Sequence, residues 1–140
     1  MPMRPDGLYG VSKAAGEALG RMYAEKFGLK VASLRIGSFE ETPRDHRQLS
    51  TWLSPADALA AFVAAMTAPN LTYAAIYVSS RNTRGWWELG AGEALGFDPR
   101  DDAERHAAGL GPVDAQPAPL QGGSHATAAC TLAWLEHDRG

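Results

Sequence analysis

A single cysteine, Cys130, occurs in the 140 residues. The chain therefore has no internal disulfide framework, and this usage fits a reducing cytoplasm. Cys130 lies in a tail of small residues with no histidine paired to it, and it reads as an unreactive side chain rather than a nucleophile. No stretch approaches the ~18 consecutive apolar residues of a membrane-spanning helix, and no signal peptide opens the chain. Positive charge is also scarce. The formal net charge is −3 with no basic cluster, which argues against a nucleic-acid partner. No internal repeat is visible, and no metal site is expected. What is present is ordinary for one soluble domain: 45% apolar residues can bury a core, and 21% are charged.

After a short Pro-rich start, apolar residues at Val11, Ala15, Ala18, Leu19, Met22, Tyr23 and Phe27 recur at three and four. That spacing predicts an amphipathic helix over Leu8–Phe27, stopped by Gly28. Glu17–Arg21 and Arg21–Glu25 are spaced for exposed pairs along it. Lys30–Ile36 reads as a buried parallel strand, and a helix feeding such a strand is half of a doubly wound unit. The segment leaving it, Gly37-Ser38-Phe39, is placed to touch a ligand, because ligands bind beyond the carboxyl ends of such strands. A long irregular stretch is expected from Glu40 to Thr51. Ser54-Pro55-Ala56-Asp57 then starts a helix with an N-cap serine, a proline and an acid in the first turn. This helix is expected to bury Leu59, Phe62, Val63 and Met66 and to end before Pro69. Tyr73–Ser80 is a second strand. Trp86-Trp87 opens a short helix, another begins at Asp101, and the tail from Gly109 is irregular up to the apolar cluster Leu132–Leu135.

The most suggestive chemistry lies at the start of the first helix. Tyr9 and Lys13 are four apart, on one face and about one turn from each other. A phenol ordinarily ionises near pH 10, and a neighbouring ammonium favours the phenolate. Such a pair can take a proton from a hydroxyl. The same spacing also suits a packed aromatic beside a solvated lysine. Small residues at Gly10, Ala14 and Gly16 suit a helix lying against a cofactor or a close partner.

Tyr9-Gly10-Val11-Ser12-Lys13-Ala14-Ala15-Gly16-Glu17 resembles the extended branch of the short-chain dehydrogenase/reductase superfamily, the NAD-dependent sugar-nucleotide epimerases, dehydratases and relatives. Within that branch, four segments resemble the uronate dehydrogenase family: Arg35-Ile36-Gly37-Ser38, Arg47 through Ser54, Gly85-Trp86-Trp87 and Leu95-Gly96-Phe97. Gln121-Gly122-Gly123-Ser124 adds a weaker match, so the likeness runs over nearly the whole chain.

The resemblance implies an α/β fold, the carboxyl-terminal part of a Rossmann-like doubly wound parallel sheet plus a small substrate-binding region. The 140 residues would form a single partial domain. Residues 1–36 would be the Rossmann-type helix and strand, 37–107 the substrate-binding loop and helices, and 108–140 the irregular tail. The amino-terminal cofactor half is expected to be absent. No strand precedes a Gly-rich turn that could seat a pyrophosphate, and Gly7-x-x-Gly10 followed by Gly16 has the wrong spacing. The eight residues before Tyr9 also lack the serine or threonine with which family members polarise the substrate oxygen.

By the same resemblance the enzyme would oxidise a hexuronic acid, glucuronate or galacturonate, at C1 with NAD to the aldarolactone. Tyr9 would be the base, and Lys13 its electrostatic and ribose-binding partner. Ile36 would line the nicotinamide pocket. Ser38 would hydrogen-bond the sugar or cap the turn, and Arg47 would clamp the carboxylate. Trp86 and Trp87 read as packing anchors rather than sugar platforms, and His46 as an exposed neighbour of Arg47. A homo-oligomer through the Leu8–Phe27 helix is implied. The chain alone is expected to be inactive. Another epimerase or dehydratase relative, or a catalytically silent remnant, are the alternatives.

Overall fold

A computed structural model describes residues 4–111 and 127–129. In chain order the elements are α1 (Leu8–Phe27), β1 (Val31–Ile36), β2 (Ser38–Phe39), α2 (Gln48–Thr51), β3 (Trp52–Leu53), α3 (Pro55–Thr67), β4 (Tyr73–Val78) and α4 (Gly90–Glu93), followed by a 3-10 helix over Ala103–Gly109. The expectations for Leu132–Leu135, Gln121–Ser124 and Cys130 lie outside the described residues.

Helix α1 ends at Gly28, whose φ of 69° is a left-handed cap that favours glycine. The chain returns through β1, which pairs in parallel with β4 from Val31↔Tyr73 to Ile36↔Val78. Side chains alternate across the sheet. Val31, Arg35, Tyr73 and Tyr77 point to α1, whereas Leu34, Ala74, Ile76 and Val78 join α3 and Phe97 in the main core. Helices thus cover both faces. Strand β1 is parallel as expected but half-buried rather than buried, because β4 is its one partner strand among the described residues.

The first turn of α3 is built as the sequence predicts. The Ser54 hydroxyl accepts from Asp57 N at 3.0 Å, with proline next to it. Its buried face is not the expected one. Leu59, Phe62, Val63 and Met66 are exposed, and Asp57, Ala58, Ala61 and Ala64 face inward. The sheet takes the alanine stripe because small side chains let the helix lie close, while the Asp57 carboxylate accepts the backbone N–H groups of Arg100 (2.9 Å) and Asp101 (3.0 Å). Replacing Ala61, fully buried, with Leu should cost about 1–3 kcal/mol by overpacking. Phe62→Ser should stay within about 0.5 kcal/mol, as exposed substitutions do. Urea unfolding of the two variants separates the faces.

Three further expectations are corrected. Residues 40–51 are not wholly irregular, since α2 forms and leads into β3, which pairs in parallel with β2. The helix expected at Trp86 begins at Gly90, because Trp87 is drawn into a stack on Tyr77, with centroids 5.1 Å apart. The one expected from Asp101 is the 3-10 helix, capped by the Asp102 carboxylate accepting from Glu104 N. In addition, Glu17 pairs with Arg35 rather than with Arg21, which keeps Glu25 at 2.8 Å.

Candidate active site

The candidate residues Ile36 and Ser38 lie where β1 ends. Gly37 N donates to Val78 O at 2.9 Å, tying the outgoing segment to both strands. A Cβ on Gly37 would overlap the Thr51 carbonyl oxygen and meet the Trp87 ring at 3.1 Å. Only glycine lets the chain pass this close to α2. The Ser38 hydroxyl lies 2.9 Å from that of Thr51, which is buried at the end of α2. Arg47 is the residue before α2, half-buried, and its carbonyl accepts from Ser50 N at 3.0 Å. Arg47 and Thr51 are four apart on one helical face, so Thr51 links Ser38 to the side of α2 that carries Arg47. Ile36 closes β1 and is 44% exposed.

Tyr9 and Lys13 are on the first two turns of α1, with Lys13 Nζ 5.0 Å from the centre of the Tyr9 ring. Tyr9 is 72% exposed. The helix runs antiparallel to β1, since Gly20 lies beside Val31 and Glu17 bonds Arg35. With 1.5 Å of rise per residue, Lys13 and Tyr9 stand about 6 and 12 Å beyond Glu17 along the axis, past the carboxyl end of the strand.

Arg35 donates to both Glu17 carboxylate oxygens at 2.8 Å and to the Tyr77 hydroxyl at 3.3 Å. The hydrogen bond from Arg35 holds the Glu17 carboxyl below the usual range, against a smaller opposing effect of burial. A depressed carboxyl pKa contributes stability that is fully present above the unfolded value, about 4.3, and is lost as the pH falls through the folded value. The stability gap between the parent chain and Glu17→Gln should hence be constant from pH 7 to about 5 and narrow on further acidification. Urea midpoints across that range measure it. Asp101 and Asp102 are also depressed, but they titrate in both proteins and cancel in the difference.

Several organising residues were not singled out from sequence. Trp52 is fully buried, its indole donates to Glu40 O, and its carbonyl accepts from Ser80 N and Asn82 Nδ2, each at 2.8 Å. Asn82 Oδ1 in turn accepts from Ala103 N at 3.1 Å. The run Ser79-Ser80-Arg81-Asn82 directly after a parallel strand was the available signal. A pocket of about 250 Å³ opens there, lined by Ser79, Ser80, Asn82 and Trp87 among others. The Trp87 Nε1 is buried without a hydrogen-bond partner among the described residues. A wider cleft of about 560 Å³ between α3 and residues 95–101 contains none of the expected site residues. His46 is half-buried rather than exposed, with Nε2 2.8 Å from Gly111 O. Trp87 packs as an anchor, while Trp86 is 51% exposed. Among the described residues no group of His, Cys, Asp or Glu could hold a metal ion, and no helix is long and apolar enough to cross a membrane.

No family model matches the sequence. A uronate dehydrogenase from Agrobacterium fabrum is 46% identical over 104 residues, covering 74% of this chain and 39% of that protein. A mutant uronate dehydrogenase from Agrobacterium tumefaciens, solved in complex with NAD, superposes with a TM-score of 0.84 at 40% identity, over 90% of this chain and 50% of its own. A glucuronic acid dehydrogenase from Chromohalobacter salexigens gives 0.85 at 36% identity, over 94% and 52%. The chain spans about half the length of the relatives it matches. In sequence and in its Rossmann-like fold, this chain is a relative of the uronate dehydrogenases.

Proposed function

We propose that the chain carries the proton-transfer and substrate-holding part of an NAD-dependent uronate dehydrogenase. The observation that carries this reading is the Ser38–Thr51 contact, which ties the turn after β1 to the helix bearing Arg47. The 46% identity to a uronate dehydrogenase supports it. In this reading Arg47 takes the C6 carboxylate of the sugar with a planar, bidentate donor, and Ser38 bonds a ring substituent. Tyr9 receives the proton of the C1 hydroxyl, and the Lys13 ammonium stabilises the negative charge that develops on the Tyr9 oxygen. NAD, when bound, supplies the hydride acceptor.

The exposed Tyr9, Lys13 and Ile36 suit the nicotinamide-ribose end of that cofactor. No Gly-rich turn between strand and helix lies among the described residues, so a pyrophosphate seat has to come from elsewhere. We also infer a cytoplasmic homo-oligomer built on α1. The single cysteine supports the compartment, and the exposed Val11, Leu19, Tyr23 and Phe27 support the helix contact.

Amide NMR of the chain itself tests the substrate site. Sodium glucuronate should shift Ser38 and residues 47–52, and glucose, which lacks the carboxylate, should not. Equal shifts from the two sugars would remove Arg47 from the role of carboxylate clamp.

A further inference from the structure

Helix α1 meets the sheet largely through small residues. Its half-buried positions toward the sheet include Ala14, Glu17, Gly20 and Ala24, one stripe at helical spacing. Three of these four have no side chain or a methyl group, so the helix side offers few large ridges of its own. Val31 of the sheet sits beside Gly20, and the Arg21 guanidinium lies over the Tyr73 ring, 5.5 Å from its centre. Side chains as small as those of the stripe hold the height and roll of a helix less firmly than interdigitating large ones. Glu17 is the exception, and polar groups of the sheet converge on its turn. Arg35 holds both carboxylate oxygens at 2.8 Å, and the Tyr77 hydroxyl accepts from the same guanidinium. The Tyr73 hydroxyl reaches Glu17 O at 3.5 Å. The pair is mostly shielded, with side-chain exposures of 27% for Arg35 and 16% for Glu17.

We propose that Glu17 is a positioning residue: its two bonds to Arg35, backed by Tyr77, fix where α1 stands along β1 and so where Tyr9 and Lys13 stand relative to Ser38. This rests on the roles given above to Tyr9, Lys13 and Ser38. A bidentate pair is directional in two dimensions, which a single point charge is not. It defines height along the strand and roll about the helix axis together. Tyr77 extends the constraint, because it stacks on Trp87, whose ring borders Gly37. One chain of contacts thereby connects the helix of Tyr9 to the turn of Ser38.

The test has two arms on the full chain. In the ligand-free chain, residual dipolar couplings give the orientation of α1 relative to the β1–β4 sheet. Glu17→Ala, which keeps the helix and completes the stripe of small residues, should rotate α1 as a body while its internal couplings still fit a helix. The charge exchange Glu17→Arg with Arg35→Glu should return it. An unchanged orientation in Glu17→Ala overturns the proposal. If Glu17→Ala unfolds, the exchange decides: recovery of the parent orientation supports the proposal, and failure to recover overturns it.

In the second arm, glucuronate should shift Tyr9 and Lys13 as well as Ser38 and residues 47–52 in the parent. In Glu17→Ala the shifts at Ser38 and residues 47–52 should remain, whereas those at Tyr9 and Lys13 should be lost. If both sets fall together, the pair is structural only and the proposal is overturned. A parent chain that shows no glucuronate shifts refutes the uronate reading alone, and the dipolar couplings still decide the role of Glu17.

Discussion

Tyr9→Phe should lower turnover about 10²-fold or more in an enzyme that joins this chain to a cofactor-binding half, the scale of losing a general base. The ring stays, and with it the packing of Lys13 over the aromatic face, so KM for the uronate should change little. Arg47→Ala should act on a different quantity. Loss of a charge-assisted bond costs roughly 1.5–3 kcal/mol, or about tenfold to a hundredfold in kcat/KM. That loss should appear with glucuronate and galacturonate and be absent with a neutral aldose. Steady-state kinetics with both sugar classes on both variants measures it. An Arg47→Ala enzyme equally impaired on the neutral sugar would make Arg47 a structural residue.

Gly37→Ala should be the most damaging single substitution for stability. The new methyl would overlap the Thr51 carbonyl oxygen and press on the Trp87 ring, and neither neighbour is a flexible side-chain end. Gly37 cannot retreat, because its N–H is bonded to Val78 O and the next two residues pair with Trp52 and Leu53. Overpacking typically costs about 1–3 kcal/mol and occasionally more. With backbone on one side and a stacked indole ring on the other, about 3 kcal/mol or more is expected, a fall in Tm on the order of 15 °C for a domain of this size. Gly28→Ala is the control. Its φ of 69° strains alanine, but no atom lies within 4 Å of the added carbon, so the cost should be only about 1 kcal/mol. Calorimetry of the two variants separates a steric from a conformational requirement for glycine. A Gly37→Ala protein as stable as Gly28→Ala would contradict the packing of α2 against the strand end.

Local signals carried much of the fold. The span of α1, its glycine stop, the serine cap of α3 and the two parallel strands all follow from spacing and turn chemistry within a few residues. Burial was less legible. Apolar periodicity pointed to Leu59, Phe62, Val63 and Met66 as the inner face of α3, yet the sheet takes Ala58, Ala61 and Ala64. Both stripes run along the helix, and what chooses between them is the depth of the sheet surface and the use of Asp57 as a backbone acceptor for residues 100 and 101. Those partners are more than forty positions away. The same distance hides the site's scaffold. Ser38 and Arg47 were readable as candidates from their segments, whereas Thr51, Trp52 and Asn82 act through contacts that only the folded chain creates. Glu17 is the sharpest case: helical spacing offered Arg21, and tertiary geometry gave it Arg35 with two bonds instead of one.

Helix α1, twenty residues long, contributes no buried residue, while the core gathers α3, β4 and Phe97. Protection of backbone amides against exchange with deuterium should therefore divide the molecule unequally. Amides of β4 and the inner face of α3 open only with global unfolding, whereas those of α1 open in a smaller excursion that leaves the core folded. The proposed catalytic tyrosine thus rides on the least protected long element of the chain. Whatever covers its outer stripe in an assembled enzyme also slows that excursion, so the lifetime of the reactive geometry is set from outside the site.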